Sequence, residues 1–340
     1  MRIRSLLKDP KFGSIPLFLG TVALEAWYLK RQPTRGPIPR PDGPGLGAQQ
    51  QFAALEPQHE PLKPYVGYRA EDAAASLAMG TGSLALNMVY DQMWHRIERR
   101  LYDKRLVDVG SGPLGWVVAV VGWDFIYYWE HRASHRVRLL WANHVNHHSS
   151  EYYNLTTALR QPWSDYLTRW FFLPLASVGV TPGLHQTAAG LNLLYQYWIH
   201  TEVIDRCPAP VETALNTASH HRVHHGSNQQ YLDKNYGSIF IIWDRLFGTF
   251  EPERERPRYG LTKNIHTFNP VRIAFHELIA IGRDVRRAAT WGDRLKAVFA
   301  PPGTKVRFQV DELAEPGGAS PGQPGAIRPA PEHAALGLHA

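Results

Sequence analysis

Eight histidines fall into three groups at helical spacing. In "EHRASH", His131 and His135 are four residues apart; in "HVNHH", His144, His147 and His148 stand at i, i+3 and i+4. In "HRVHH", His221, His224 and His225 repeat that second pattern, with His220 directly before them. On a helix these spacings put side chains on one face, a turn apart. Each group therefore aims two or three imidazoles at one point. A single histidine is ordinarily a satisfied core or surface residue, but three groups built to one rule point to a metal. A basic surface loop does not account for them, because neutral imidazole adds little charge near pH 7.

The chain holds one cysteine, Cys207. That excludes a disulfide framework and argues against thiolate ligands, so the metal is held by nitrogen and oxygen. Imidazole suits zinc, copper, iron and nickel. A closed structural zinc site needs only four ligands, usually with cysteine. Eight histidines exceed the coordination of one ion, so two ions sharing one pocket is the natural count. Carboxylates are scarce among the groups, which sets them apart from Glu and Glu-x-x-His di-iron bundles and from carboxylate-bridged two-zinc hydrolases. Ligand type and membrane setting together favour iron. His200, closing the run "LYQYWIH", is either a ninth ligand or an interfacial histidine. Asp124 lies seven residues before His131, about two helical turns away on the same face. An acid inside an apolar run is a functional candidate, so Asp124 is read as catalytic, either holding a ligand histidine from behind or pairing with an arginine. Asp124, Glu130 and Asp233 could also offset the charge of a cationic centre. His220 breaks the spacing and is read as outside the ligand set.

The elements that must position these residues are apolar blocks. The first, "IPLFLGTVALEAWYLKR", has basic flanks and no small-residue cleavage site, so residues 1–31 are expected to be an uncleaved membrane anchor, interrupted by Glu25. Residues 32–72 are rich in Pro, Gly and Gln and read as a linker. Residues 73–90 are apolar and rich in small residues, suited to close helix packing in lipid. A basic amphipathic piece follows, "DQMWHRIERRLYDKRLV". Residues 113–129 form the third block; 165–181 and 187–199 form two more, joined by "PGLHQ". Each is short against the roughly 20 residues of a span, so three to five membrane segments are expected, some tilted or paired as a hairpin. The competing reading is a soluble protein with buried helices. Sustained β alternation is absent, so the class is all-α. "YGSIFIIWDRLFGTF" reads as an interfacial element, and residues 270–299 as an arginine-rich amphipathic helix on a membrane surface. Residues 301–340, rich in Pro, Gly and Ala, are expected to be a disordered tail.

The expected fold is thus an all-α integral membrane bundle, its catalytic domain over 73–300 and its histidine-lined di-metal site at the membrane–cytosol face. Net charge is +7 and mean hydropathy −0.32. Polar loops and tail dilute the apolar blocks, and scattered basic residues give no nucleic-acid footprint.

The order HxxxH, HxxHH, HxxHH across apolar blocks resembles the sterol desaturase / fatty acid hydroxylase superfamily of membrane di-iron enzymes. "DFIYYWEHRASH", "WANHVNHHSSEYYNLTTALRQ" and "SHHRVHHGSNQQYLDKNYGSIFIIWDRLFGTFEPE" carry the resemblance, the last two looking most like its alkylglycerol-monooxygenase-like branch. It covers roughly residues 73–300. It implies ligation of two Fe ions by His131, His135, His144, His147, His148, His221, His224 and His225, with His200 as a further ligand. It implies O2 activation and hydroxylation or desaturation of a lipid C–H bond, with electrons from an external donor or electron-transfer partner. Arg136 departs from the branch, which places an acid after the second histidine of the first group; the branch's ether-lipid substrate and pterin donor are therefore not carried over. Two other classes compete. A membrane metal transporter would place histidines along a path inside the spans, whereas these flank the spans on one side. A membrane zinc hydrolase would hold two zinc ions and no iron.

Overall fold

The computed structural model describes residues 14–37 and 63–309. Among the described residues there is no β-strand, only isolated bridges. The helices in chain order are α1 Ile15–Leu29, α2 Ala70–Asp103, α3 Pro113–Arg136, α4 Arg138–His148, α5 Pro174–Ser177, α6 Pro182–Trp198, α7 Ala209–Ala214, α8 Ala218–His224, α9 Ile242–Phe247, α10 Pro270–Arg287 and α11 Trp291–Phe299. Short 3₁₀ turns between residues 157 and 172 link α4 to α5.

The second apolar block and the basic piece after it are one helix, α2, of 34 residues and about 51 Å. Its small residues pack on protein. A Cβ at Gly80 would come within 2.5 Å of the Leu159 carbonyl oxygen, and one at Gly82 would strike the Trp163 ring. α3 and α6 run parallel. Asn192 donates to Asp124 at 3.1 Å and Tyr127 donates to Gln196 at 2.8 Å, so the two helices advance in step. Ala119, Trp123, Leu184 and Ala188 fill the seam between them, with Leu175 and Val180 from the α5–α6 region. Both helices end at one place, where α3 carries His131 and His135 and the residues after α6 carry His200.

The fourth block, 165–181, is 3₁₀ turns and the short α5, and "PGLHQ" is the first turn of α6, capped by Thr181 accepting from the Leu184 amide at 3.2 Å. The hairpin expected there is therefore absent. No helix among the described residues is long and apolar enough to cross a membrane. Glu25, which interrupts the first block, is buried and docks α1 on the body. It accepts from the Leu155 amide at 2.9 Å, the Tyr68 hydroxyl at 2.5 Å and the Thr201 hydroxyl. The expected linker lies partly outside the described residues (38–62), as do residues 1–13 of the anchor and 310–340 of the tail. Residues 301–309, assigned to the tail, are ordered against the body: Ala289 donates to Arg307 and Gln309 to Arg287, at 2.9 and 2.8 Å.

Candidate metal centre

Four elements converge on one buried volume. α3 brings His131 and His135, α4 brings His144, His147 and His148, the turn after α6 brings His200, and α8 brings His221 and His224 with His225 at its cap. All are buried except His144, which is half-buried. They sort into two sets: His131, His135, His144, His148 and His224, and His147, His200, His221 and His225. Within each set the candidate ligand atoms lie within 4.8 Å of one another. The nine histidines named from the sequence are thus brought together, but neither triplet aims at one point: His147 joins the second set and His224 the first.

Hydrogen bonding alone cannot satisfy this arrangement. His144 Nε2 lies 2.8 Å from His131 Nε2 and 2.9 Å from His148 Nε2. His221 Nε2 lies 2.8 Å from His200 Nε2 and 3.2 Å from His225 Nε2, and His200 Nε2 is 3.1 Å from His147 Nε2. A ring nitrogen offers one proton or one lone pair, so a nitrogen between two others leaves at least one contact repulsive. His135 has no hydrogen-bond partner at either ring nitrogen, and Nε2 of His224 and Nδ1 of His147 and His221 are likewise buried without one. Unpartnered buried polar atoms are costly; a cation between the inward lone pairs would satisfy Nε2 of His224 and relieve the crowded Nε2 contacts, whereas Nδ1 of His147 and His221 lies on the far side of rings whose Nε2 faces the other imidazoles. Burial first, and then the neighbouring imidazoles, push the pKa of His144, His148, His221, His224 and His225 well below the ordinary value. Burial pushes His147 down to about 4. The rings are therefore neutral near pH 7, as metal ligation requires.

The backbone sets which nitrogen faces the pocket. His131 donates through Nδ1 to the Tyr236 carbonyl at 2.8 Å, His224 to the Lys234 carbonyl at 3.0 Å, and His200 to the Gln196 carbonyl at 2.7 Å. A carbonyl only accepts, so Nδ1 carries the proton and Nε2 keeps its lone pair inward. Asp233 stands 3.7 Å from His135 Nδ1 and accepts from Arg136 at 2.6 Å. Asp233 and Asn235 both have left-handed φ, 60° and 56°. Asn235 holds this strap by donating to the His220 and Glu251 carbonyls at 3.1 and 2.7 Å and accepting from the Glu251 amide at 2.9 Å. Asp244 accepts from the Tyr236 and Gly237 amides, each at 2.7 Å. Asn235 and Asp244 were not singled out from the sequence, although both lie in the stretch that carried the resemblance.

Asp124 meets neither of its expected partners. Its carboxylate accepts from the Ile239 amide at 2.7 Å, the Phe240 amide at 3.3 Å, Trp243 Nε1 at 2.8 Å and Asn192. It ties α3 and α6 to the turn before α9 and holds no histidine ring. Glu130 accepts from its own helix at Ser134, 3.0 Å away. His220 belongs to neither histidine set; its Nε2 lies 2.9 Å from Glu212. Burial opposes charge on Glu212, yet His220, the Ser219 hydroxyl and the Cys207 amide outweigh it and hold the carboxyl at about 2. Arg222 is fully buried and pairs with Glu253 at 2.7 and 2.8 Å.

The profile of the fatty acid hydroxylase family matches residues 116–249, which contain all nine histidines. Human alkylglycerol monooxygenase is 42% identical over 241 residues, covering 69% of this chain and 53% of the relative. The Xenopus tropicalis alkylglycerol monooxygenase is 44% identical over 239 residues, with the same coverage of each chain. Mouse lathosterol oxidase is 30% identical over 170 residues, 46% of this chain and 53% of the relative. The chain therefore spans about half the length of the curated relatives it matches. No solved structure matches it. With a fatty acid hydroxylase domain laid over the histidine centre, the chain belongs to the sterol desaturase / fatty acid hydroxylase superfamily.

Proposed function

We propose that the chain is an O2-dependent oxidoreductase that hydroxylates or desaturates a C–H bond of a lipid, using two iron ions held by the nine histidines. The observation that carries the reading is the pair of neutral, buried histidine sets within the family-matched region. The iron pair, when bound, supplies O2 activation. Hydroxylation consumes the substrate, O2, two electrons and two protons, and yields an alcohol and water. The electrons come from an external donor.

The protein's own residues do the rest. The Nδ1-anchored rings of His131, His200 and His224 hold their Nε2 lone pairs inward without rearrangement. Trp141, Tyr153 and Tyr236 pack on the histidine rings, with Trp141 5.6 Å from His148 and Tyr153 5.1 Å from His225, centroid to centroid. This aromatic wall shields the histidine rings from water. The neighbouring helices support a membrane setting, because Leu17, Leu19 and Leu24 of α1, Leu114, Val117 and Val121 of α3 and Leu191, Leu193 and Leu194 of α6 are all exposed. The reading places the chain in a membrane with the centre on the cytoplasmic side, at the convergent ends of α3 and α6.

The test is metal and product. Chain expressed with ample iron should contain two irons and consume O2 when given reductant and lipid, with a matching oxidised lipid in the cell profile. His224→Ala should abolish turnover while the chain stays membrane-bound. Full turnover by that variant, or two zincs and no iron from iron-replete cells, would overturn the reading; the second result would favour a hydrolase.

A further inference from the structure

α10 has three faces. Ile273, Ala274, Glu277, Ala280 and Ile281 are buried against the body. Val271, Phe275 and Ile279, successive at four-residue spacing, are 55%, 38% and 64% exposed. α11 repeats the pattern, with Trp291, Leu295 and Phe299 exposed by 76%, 59% and 56%. A double row of large apolar groups in contact with water requires an occupant.

Charge identifies that occupant. Residues 270–299 contain three acids, Glu277, Asp284 and Asp293, and none is exposed. Glu277 and Asp284 accept from Arg138 at 2.6 and 2.7 Å. Asp293 accepts from the Thr290 hydroxyl at 2.6 Å and lies 3.3 Å from Arg307. The basic residues take the opposite side: Arg272, Arg283, Arg286 and Lys296 are exposed. The free face is thus apolar, flanked by cations and free of anions. A protein partner would require matching acids beside an apolar groove, whereas an anionic bilayer surface presents both chemistries in one plane.

We infer that α10 and α11 form a docking site for the anionic headgroup layer of a membrane. Val271, Phe275, Ile279, Trp291, Leu295 and Phe299 enter the acyl boundary, and the arginines meet lipid phosphates. The inference rests on the proposed reading only for its membrane setting and needs no metal. It adds a geometric consequence. Arg138, clamped to α10, is the first residue of α4, which carries His144, His147 and His148, so docking sets the depth of the metal centre relative to the headgroups.

The test places an environment-sensitive fluorophore on the full chain at Trp291→Cys, in a Cys207→Ser background, and reconstitutes it in nanodiscs of phosphatidylcholine with or without phosphatidylserine. Phosphatidylserine should shift the emission to the blue and cause a several-fold loss of quenching by acrylamide. Combining Arg272→Gln, Arg283→Gln and Arg286→Gln should remove most of that dependence while the melting temperature stays unchanged. A label equally open to acrylamide in both discs would overturn the inference, as would shielding indifferent to phosphatidylserine and to the arginines. Shielding that rises with protein concentration would assign the face to a second copy, and shielding lost on deletion of residues 310–340 would assign it to the C-terminus; either would also overturn it. Iron content of the same samples tests the oxygenase reading separately, because docking without iron would sink that reading and leave this one standing.

Discussion

The carbonyl oxygen of Lys234 accepts the Nδ1 proton of His224 at 3.0 Å, and two residues on, Tyr236 does the same for His131 at 2.8 Å. One backbone strap therefore aims two ligands of the five-histidine set. The residue between, Asn235, sits at φ 56° with three side-chain hydrogen bonds. Asn235→Ala loses those buried bonds at about 1 kcal/mol each, about 3 kcal/mol in all, and keeps a Cβ in the left-handed region without the side-chain hydrogen bonding that lets Asn occupy it. Asn235→Gly removes only the backbone penalty and should be the milder variant in denaturant unfolding. Both should lower metal occupancy of the five-histidine set before that of the four-histidine set. Equal loss from both sets would show that the strap does not act on its own ligands.

The division into two sets predicts selective loss. His144 touches two ring nitrogens of the first set, and His221 touches two of the second. His144→Ala should leave one ion and His221→Ala the other, with different absorption spectra for the cobalt-substituted variants. His220→Ala should keep both ions, because its ring meets Glu212 instead of the pocket. Loss of an ion from the His220 variant would place that residue in the ligand set after all.

The histidine spacing was legible because a helix repeats a direction after about one turn, so the i, i+4 pairs His144/His148 and His221/His225 each stay in one set. The i+3 members, His147 and His224, cross to the opposite set, a division that the spacing alone did not show. The backbone acceptors were not legible. Any residue carries a carbonyl, so nothing in the letters of Lys234 or Tyr236 marks their role; only the left-handed turns at Asp233 and Asn235 aim them. Asp124 misled for a related reason. Its heptad offset from His131 places it on the right face of α3, but Ile239, Phe240 and Trp243 arrive from distant sequence and take its oxygens first. Apolar blocks forecast helices well where the run continued, as in α3, and failed over 165–181, where the chain breaks into 3₁₀ turns.

The metal-free centre should be acid-sensitive. His147 sits at about 4 in the folded chain against an ordinary histidine value near 6.5. The unfolded chain therefore binds the proton first as pH falls. Stability from this group is complete above about 6.5 and is lost as pH drops toward 4, on the order of 3 kcal/mol for His147 alone. The depressed values of His144, His148, His221, His224 and His225 act with the same sign. Unfolding of the metal-free chain should weaken steadily from about pH 6.5 downward, while bound metal holds the rings neutral and delays the loss. A metal-free chain indifferent to pH until carboxylates titrate would mean the rings are not buried as neutral bases.

Arg222 offers the sharpest test of how His200 is held. Its guanidinium pairs with Glu253 and donates to the carbonyls of Thr201, Ile204 and Asp205 at 3.1, 2.6 and 2.5 Å. It thus ties the turn after His200 to α8, whose His221 lies against His200. Arg222→Met keeps much of the volume but leaves a buried carboxylate and freed carbonyls. Breaking one side of such a pair costs about 3–5 kcal/mol. Adding Glu253→Gln should recover only part of this, because the three carbonyls stay unserved. If the clamp acts through the turn, the single variant loses metal from the four-histidine set first, since His200 is free to swing away from His147 and His221. Full recovery in the double variant, with both ions bound, would reduce Arg222 to a charge partner of Glu253 and leave His200 positioned by its Gln196 contact alone.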